Sequence, residues 1–249
     1  MRERNTGYTV IDNRKIGRNT MRLRVEGATD EFKAPGQFVN IQIPGFTLRR
    51  PISVCDIDGA VISLVYDIVG KGTAKLATIG SGASLDILPA LGNGFDISKC
   101  GKNPVLLGGG VGCPPIYSLA KALIRKGMDP TVILGFNSRE RMMLIEEFKE
   151  LSVPFHVATV DGSFGTKGFV TDVMARIGLN PDYFYACGPL PMLKALCTTL
   201  DIPGQVSLES RMGCGFGICV CCSVETKNGP RRICKEGPVF EKDELIWKD

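Results

Sequence analysis

The sequence predicts an α/β plus all-β protein, with an N-terminal antiparallel β-barrel, a doubly wound parallel α/β domain and a small cysteine-rich C-terminal segment. Three observations predict it. Short alternating strands fill roughly the first hundred residues, strand and helix patterns then alternate, and glycine and cysteine crowd the last forty or so. We expect the three parts to occupy residues 1–100, 101–206 and 207–249.

Length and composition set the broad class. The chain has 249 residues, enough for two domain cores and a small appendix. The formal net charge of +4 is spread along the chain without a basic block, so we expect no nucleic-acid binding. We find neither a signal peptide nor an apolar run of membrane-spanning length. We therefore expect a cytoplasmic protein whose ten cysteines include metal ligands rather than disulfides.

The first region reads as short strands separated by turns. MRLRVEG and FVNIQIPG alternate apolar and polar residues, and AVISLVYDIVG is a longer β-branched run closed by Gly-Lys-Gly. Several such strands at short spacing predict a small antiparallel barrel or sandwich. The stretch LPALGNGF (88–95) is dense in turn residues and marks the exit from this unit.

The second region begins near residue 104. PVLLGGG is typical of a buried strand, and PPIYSLAKALIRKG has helical periodicity. Further strands (TVILGF, PFHVATV, YFYACG) alternate with further helices (RMMLIEEFKEL, GFVTDVMARIG, PLPMLKALCTTL). This alternation predicts a parallel, doubly wound sheet that ends near residue 207.

The cysteine-rich segment has the spacing of a metal site. Cys214, Cys219, Cys222 and Cys234 follow the pattern C-x4-C-x2-C…C of plant-type 2Fe–2S sites. The interleaved glycines let a loop turn sharply and direct backbone N–H groups at sulfur. A structural zinc site or inert buried thiols are the alternatives, although zinc sites usually pair two C-x2-C knuckles. Cys221 is a spare thiol, so the choice of Cys222 is an inference.

Two loops of the α/β region are candidate nucleotide contacts. The glycines of 108–112 lie between a strand and a helix that opens with two prolines, where a pyrophosphate can approach the backbone and the free N–H groups of the helix. A tight turn alone would also require glycine. Cys187-Gly188-Pro189 ends the fourth strand and would face the same crevice, unless Cys187 is simply a small buried thiol.

Two other features have ordinary explanations beside functional ones. In Arg49-Arg50-Pro51-Ile52-Ser53, a guanidinium can pair with a phosphate and the hydroxyl can meet a ring nitrogen. A solvated basic turn is the alternative. His156 is the sole histidine, and we expect it to be a packing residue.

Taken in order, RRPISV, VYDIVGKGT, GGGVGCPP, DGSFGTKG, CGPLPM and CGFGICVCC…CKEGPVF resemble the ferredoxin reductase-like flavoproteins. Among these, the similarity is to the electron transfer subunits that serve type B dihydroorotate dehydrogenases, and it runs over nearly the whole chain. The resemblance implies an NAD-dependent oxidoreductase subunit with FAD on the barrel, NAD on the α/β domain and a 2Fe–2S cluster on the last segment. It also implies an FMN-containing catalytic subunit of dihydroorotate dehydrogenase as partner, in a heterotetramer of two plus two. That partner would oxidise dihydroorotate to orotate in pyrimidine biosynthesis.

The resemblance also assigns roles to single residues. Arg50 would meet the FAD pyrophosphate, and Ser53 would hydrogen-bond near flavin N5. The other expected FAD contacts are Pro51, Ile52, Val65, Tyr66, Asp67, Gly72 and Thr73. The expected NAD contacts are Gly109, Gly110 and Gly112 at the phosphates, with Cys187 and Gly188 beside the nicotinamide. The expected cluster ligands are Cys214, Cys219, Cys222 and Cys234, and no catalytic residue is expected.

The chain departs from the family in three places. Ile52 stands where the family often has an aromatic residue, so we expect aliphatic stacking on the flavin. Asp67 stands where a phosphate-facing base is usual, and Cys234 follows sooner than the fourth cysteine of plant-type ferredoxins.

Other partners and a different class of protein remain open. A related reductase subunit could serve ferredoxin, a sulfide dehydrogenase or a hydrogenase. Cys214 counts somewhat against the ferredoxin:NADP type, because the ligand at the corresponding position of that type resembles an aspartate. A zinc-stapled module that binds a nucleotide to regulate a partner is the non-enzymatic alternative. Asn137-Ser138-Arg139 would suit a 2′-phosphate, whereas the resembled subunit uses NADH.

Overall fold

The computed structural model describes residues 7–247. Six antiparallel strands close into a barrel in the order β1-β2-β5-β4-β3-β6. They are β1 (Gly7–Lys15), β2 (Thr20–Glu26), β3 (Phe38–Ile41), β4 (Arg50–Asp58), β5 (Val61–Asp67) and β6 (Ser84–Leu91), with helix α1 (Lys71–Leu76) after β5. The alternation read from the sequence places one face of each strand inside; in β2, Met21, Leu23 and Val25 are buried. The predicted barrel is confirmed.

A seven-stranded sheet follows, in the order β10-β9-β8-β7-β11-β12-β15, in which the edge strand β15 (Val239–Glu241) comes from the last segment. Its parallel strands are β7 (Val105–Gly109), β8 (Thr131–Phe136), β9 (Phe155–Thr159), β10 (Thr166–Lys167), β11 (Phe184–Cys187) and β12 (Gly204–Ser207). The helices are α2 (Cys113–Arg125), α3 (Ile145–Glu150), α4 (Val170–Ile177) and α5 (Leu190–Thr199). The strand order reverses between β7 and β11, and ligands of open α/β sheets bind at such a point.

The predicted strand and helix alternation is confirmed, with two local differences. Helix α3 begins at Ile145, later than RMMLIEEFKEL predicts, because Leu144 has a left-handed backbone (φ 59°) that a continuing helix cannot include. Strands β10 and β12 extend the sheet beyond the four predicted strands. They have two and four residues, too few to show a period in the sequence.

The last segment is joined to the α/β sheet. Strands β13 (Ser223–Thr226) and β14 (Gly229–Arg232) form a hairpin, and β15 (Val239–Glu241) pairs antiparallel with β12. The chain between β12 and β13 carries three of the four predicted cluster ligands and is called the cluster loop (208–222) below. The sheet therefore holds this loop from both sides, through β12 before it and β15 after it.

The barrel packs against helix α2. Cys55 and Val65 of the barrel share one buried cluster with Cys113 and Ile116 of α2. Burial of such a side chain stabilises the fold by about 1.5–3 kcal/mol, so this interface fixes the two units against each other. Among residues 7–247, none of the helices combines the length and the apolar character that crossing a membrane requires.

Candidate functional site

The outer face of β3 is covered by the cysteine-rich segment. Val39 and Ile41 point into the barrel core, so the alternate residues Phe38 and Asn40 point outward. Both are nevertheless buried. Phe38 belongs to the same buried cluster as Cys222 and other side chains of the last segment. The barrel wall at β3 is therefore the platform on which the segment rests.

The cluster loop is fixed to this platform by Asn40. The Nδ2 atom of Asn40 donates a hydrogen bond to the Cys214 carbonyl at 3.2 Å. Next to it, Gly215 has φ +78°, and a Cβ atom there would lie 2.2 Å from Asn40 Nδ2. Position 215 thus requires glycine both for its backbone and for the close approach of the barrel.

The four predicted cluster ligands form two pairs. The Cys214 N–H donates to Cys219 Sγ at 3.3 Å, and the Cys219 and Ile218 N–H groups donate to Cys214 Sγ at 3.5 and 3.2 Å. The Cys234 N–H donates to Cys222 Sγ at 3.4 Å. A 2Fe–2S cluster takes four thiolates on two irons, so each iron takes two. Two thiol pairs with N–H groups aimed at sulfur suit that group.

The thiols differ in acidity. Burial raises the pKa of Cys214, but hydrogen bonds from backbone N–H groups, including that of Cys219, outweigh it and hold the pKa at about 6. Burial and the neighbouring Cys222 sulfur raise the pKa of Cys234 to about 12. Of these two thiols, Cys214 therefore loses its proton the more readily.

The spare thiol lies outside both pairs. Cys221 is exposed, and its Sγ donates to the Arg211 carbonyl at 3.9 Å, whereas Cys222 is buried. In the described part of the chain, no three His, Cys, Asp or Glu side chains are grouped so that they could hold one metal ion.

The expected flavin-facing residues lie beside the cluster loop. Pro51 pairs with Asn40 across β3 and β4, and Ser53 pairs with Phe38. Pro51 and Ser53 are half-buried on the outer face of the barrel. Because directly paired residues share a face, this outer surface of β4 adjoins the platform that holds the cluster loop.

Arg50 and Gly72 also lie together. A Cβ atom at Gly72 would lie 2.5 Å from Arg50 Nε, so the guanidinium packs on the bare backbone at the start of α1. The Arg50 guanidinium also lies over the Phe46 ring, 5.1 Å from its centroid. The structure thus brings together two residues that are 22 positions apart in the sequence.

Three of the expected FAD contacts have side chains turned to protein cores. Ile52 packs inside the barrel with 7% exposure, which leaves the expected aliphatic stacking on a flavin without an exposed side chain. The Tyr66 ring is also inside, and its hydroxyl donates to Asn13 Oδ1 at 3.2 Å. Val65 packs in the interface with α2. These residues offer a cofactor their backbone alone.

Two more of the expected FAD contacts, Asp67 and Thr73, have polar side chains that already form hydrogen bonds within the protein. The Asp67 carboxylate accepts hydrogen bonds from the Thr20 hydroxyl and the Arg141 guanidinium, both at 2.6 Å. The Thr73 hydroxyl accepts two backbone N–H groups at the start of α1, at 2.9 and 3.3 Å. Asp67 therefore joins the barrel to the α/β domain.

The predicted nucleotide loops meet at the reversal of strand order. A Cβ atom at Gly112 would lie 2.2 Å from the Cys187 carbonyl oxygen, and one at Gly188 would lie 3.1 Å from the Gly109 backbone. Gly110 has φ +52° with open space around it. The bare backbone between β7 and α2 therefore packs against the loop after β11, with two prolines in the first turn of α2.

A cavity of about 480 Å³ opens beside these loops. It is lined by Gly109 and Gly110, by Asn137 and Arg141 after β8, and by Phe169 and Met192 from the opposite wall. Its size and mixed apolar and polar lining are typical of ligand pockets. Arg141, Phe169 and Asn40 carried no signal in the sequence, since none belongs to a motif.

A second, more open cavity of about 880 Å³ lies between the connection after β6 and strand β15. Two of its charged groups pair with each other: Lys99 Nζ lies 2.7 Å from Glu241, which also accepts a hydrogen bond from Gln205 at 2.7 Å. The smaller cavity remains the better nucleotide site because it contains the glycine loop.

Two family models match the chain. The model described as the iron-sulfur cluster binding domain of dihydroorotate dehydrogenase B matches residues 209–246. The model described as the oxidoreductase NAD-binding domain matches residues 106–198. The first match contains both thiol pairs, and the second contains the glycine loop and the loop after β11.

Full-length relatives agree with these matches. The chain is 42% identical over 246 residues to "Dihydroorotate dehydrogenase B (NAD(+)), electron transfer subunit" of Fusobacterium nucleatum subsp. nucleatum, covering 93% of this chain and 95% of that protein. It is 42% identical over 250 residues to the protein of the same name from Geobacillus sp. (strain WCH70), covering 96% and 97%. A solved NADH-dependent reduced ferredoxin-NADP oxidoreductase, studied for flavin-based electron bifurcation, superimposes with a TM-score of 0.88 at 31% identity, covering 99% of this chain and 92% of that chain.

Proposed function

The chain belongs to the family of dihydroorotate dehydrogenase B (NAD(+)) electron transfer subunits, and on that premise we propose that it passes electrons between a partner dehydrogenase and NAD. The observation that carries the proposal is the juxtaposition on the barrel wall. The two thiol pairs rest on the outer face of β3, and the outer face of β4 beside it presents Pro51 and Ser53. Cluster and flavin sites on neighbouring strands suit transfer of single electrons between them.

We assign one cofactor to each part of the chain. FAD would bind the barrel (1–100), NAD the α/β domain (101–206) and the 2Fe–2S cluster the last segment (207–249). When bound, FAD exchanges two electrons with NAD and single electrons with the cluster, which a nicotinamide cannot do. The protein's task is to hold the three groups in line, so no acid–base residue is required.

We also propose which residues hold these groups. We propose that Arg50, at the start of β4 and beside the bare backbone of Gly72, binds the FAD pyrophosphate, and that Ser53, on the outer face of β4, hydrogen-bonds near flavin N5. The remaining proposed FAD contacts are Pro51, the backbone of Ile52, Val65, Tyr66 and Asp67, and the loop with Thr73. The proposed NAD contacts are Gly109, Gly110, Gly112, Cys187 and Gly188. The proposed cluster ligands are Cys214, Cys219, Cys222 and Cys234.

The partner supplies the organic chemistry. We propose an FMN-containing catalytic subunit that oxidises dihydroorotate to orotate, in a heterotetramer of two plus two. Dihydroorotate releases two electrons and two protons; NAD takes both electrons with one proton, and the second proton goes to solvent. We propose that the reaction takes place in the cytoplasm, because clustered cysteines in a reducing compartment serve as metal ligands rather than as disulfides.

The first experiment is anaerobic purification followed by absorption spectra before and after NADH is added. We expect overlapping flavin and iron–sulfur bands that bleach with NADH, and about two irons and one FAD per chain. A colourless protein that contains zinc would overturn the redox function and favour a regulatory nucleotide-binding module.

A second candidate has one observation in its favour, the 31% identity and TM-score of 0.88 to a reduced ferredoxin-NADP oxidoreductase. The two functions differ in the partner. Co-expression with the candidate FMN subunit should give a stable complex that reduces NAD when dihydroorotate is added. A purified chain that instead reduces ferredoxin with NADH, and gives no dihydroorotate-dependent reaction, would favour the second candidate.

A further inference from the structure

Asn40 lies on the border between the proposed flavin and cluster sites. Its neighbour across β3 and β4 is Pro51, and its side chain touches the cluster loop at Cys214 and Gly215. The residue is 1% exposed. Asn40 is therefore a buried polar residue between the proposed flavin site and the proposed cluster site.

The side chain of Asn40 is not explained by packing. The bond to the Cys214 carbonyl engages Nδ2, and within residues 7–247 the Oδ1 atom is buried without a hydrogen-bond partner. A buried unsatisfied polar atom is costly, and an aliphatic side chain would avoid that cost. Pro51 has no N–H to donate to Oδ1. What the amide provides, and an aliphatic side chain cannot, is the donor to Cys214.

We propose that Asn40 is a positioning residue that fixes the Cys214 turn of the cluster loop against the flavin-binding face of the barrel. The proposal rests on the proposed function, because it assumes that Cys214 is a cluster ligand. Cys214 heads the first thiol pair, and the carbonyl held by Asn40 belongs to the same residue. The amide thereby sets where the first pair lies relative to β4.

Gly215 is the steric counterpart of Asn40 in this contact. Gly215 lets the loop backbone approach Asn40 so closely that any side chain there would displace the amide. The hydrogen bond and the glycine therefore act on the same contact from opposite sides. A change on either side should loosen the same turn.

The test uses the complete chain purified with its cofactors. The variants are Asn40→Leu, which removes the donor at similar size, and Gly215→Ala, which forces the loop away without altering the barrel. The control is Gln37→Leu. Gln37 is also a buried amide of the barrel, but its partners are the Lys33 and Ala34 N–H groups, at 2.7 and 3.1 Å, and the Gly92 carbonyl, at 3.0 Å.

We expect Asn40→Leu and Gly215→Ala to release iron to a chelator about tenfold faster and to alter the electron paramagnetic resonance spectrum of the reduced cluster. FAD content and the rate at which NADH reduces the flavin should stay at the wild-type values. Gln37→Leu should lower thermal stability without changing iron release or the spectrum.

Opposite results separate this proposal from the proposed function. If wild-type protein holds FAD and a 2Fe–2S cluster but both variants match it in iron release and spectrum, Asn40 is not a positioning residue. If Gln37→Leu changes both readouts as much, general loosening of the barrel is the cause and the proposal fails. A wild-type chain without a cluster refutes the proposed function itself. If Asn40→Leu does not fold, Gly215→Ala alone decides.

Discussion

Neighbouring cysteines of the cluster loop differ in what surrounds their sulfur atoms. Both Cys219 and Cys221 are exposed, but Cys219 accepts a hydrogen bond from the Cys214 N–H, whereas the Cys221 Sγ contacts the Arg211 carbonyl. Cys219 is thus built into a pair, and Cys221 is not.

This difference predicts the outcome of two matched substitutions. Cys219→Ser should remove most of the iron and labile sulfide while FAD stays bound, because one of four thiolates is lost and the barrel is untouched. Cys221→Ser should keep the cluster. Iron, sulfide and released FAD per chain measure both. Equal loss in the two variants would mean that the ligand assignment is wrong.

At the scale of single residues, the sequence predicts the residues that would bind a cofactor better than it predicts the residues that hold the site in place. Cys214, Gly109 and Arg50 belong to spaced motifs whose chemistry can be stated from residue type. Asn40 lies in the alternating run FVNIQI, where it reads as an ordinary outward residue. Its burial depends on a loop 174 positions away, and no local pattern contains that distance.

At the scale of elements, strand β15 decides how the cluster segment is anchored. Glu241 at its end accepts hydrogen bonds from Lys99 at 2.7 Å, Tyr183 at 2.8 Å and Gln205 at 2.7 Å. These three donors come from the connection after β6, from just before β11, and from β12. The sequence motif CKEGPVF indicated the family, but the pairing of β15 with β12 follows from tertiary packing and was not predicted.

The Glu241 contacts predict a pH dependence. Burial alone would raise the pKa of Glu241, but the hydrogen bonds from Gln205, Lys99 and Tyr183 outweigh it and lower the pKa. The carboxylate therefore stabilises the folded state above pH 4.5, its ordinary value, and that contribution is lost as the pH falls further through the lowered pKa.

We accordingly expect Glu241→Gln to lower the free energy of unfolding by about 1.5–3 kcal/mol at pH 7. The difference from wild type should shrink as the pH falls below 4.5, since wild type then loses the same contribution. Denaturant unfolding at several pH values measures it. A difference that does not change with pH would assign the loss to packing of β15 rather than to the carboxylate.

At the scale of the whole molecule, polar contacts bind the barrel to the α/β domain beside the buried interface. Lys121 pairs with Asp56 at 2.6 Å, and Arg18 pairs with Glu140 at 2.7 Å. Arg141 pairs with Asp67 at 2.6 Å and also lines the nucleotide cavity. The fold class was predictable from periodicity within each domain, whereas these contacts join residues with no shared pattern.

The Asp67–Arg141 pair predicts a link between domain contact and nucleotide binding. Its side chains are 10% and 34% exposed, and the Thr20 hydroxyl holds the other Asp67 oxygen, so Arg141 is fixed in the cavity wall. Asp67→Asn should release that guanidinium and raise the KM for NADH several-fold, with kcat and FAD content little changed. It should also lower the free energy of unfolding by about 1–3 kcal/mol, as loss of a partner from a largely desolvated pair does.

The chain supplies a matched control for this last change. Arg18→Gln breaks a contact between the same two units, but both partners of Arg18–Glu140 are 68% exposed and neither lines the cavity. Exposed pairs contribute about 0–1 kcal/mol, so this variant should match wild type in NADH titration and nearly so in unfolding. If the two variants raise the KM alike, loosened contact between the domains explains the effect. If only Asp67→Asn raises it, the fixed guanidinium of Arg141 is what the nucleotide meets, and the barrel then helps to shape the site of the neighbouring domain.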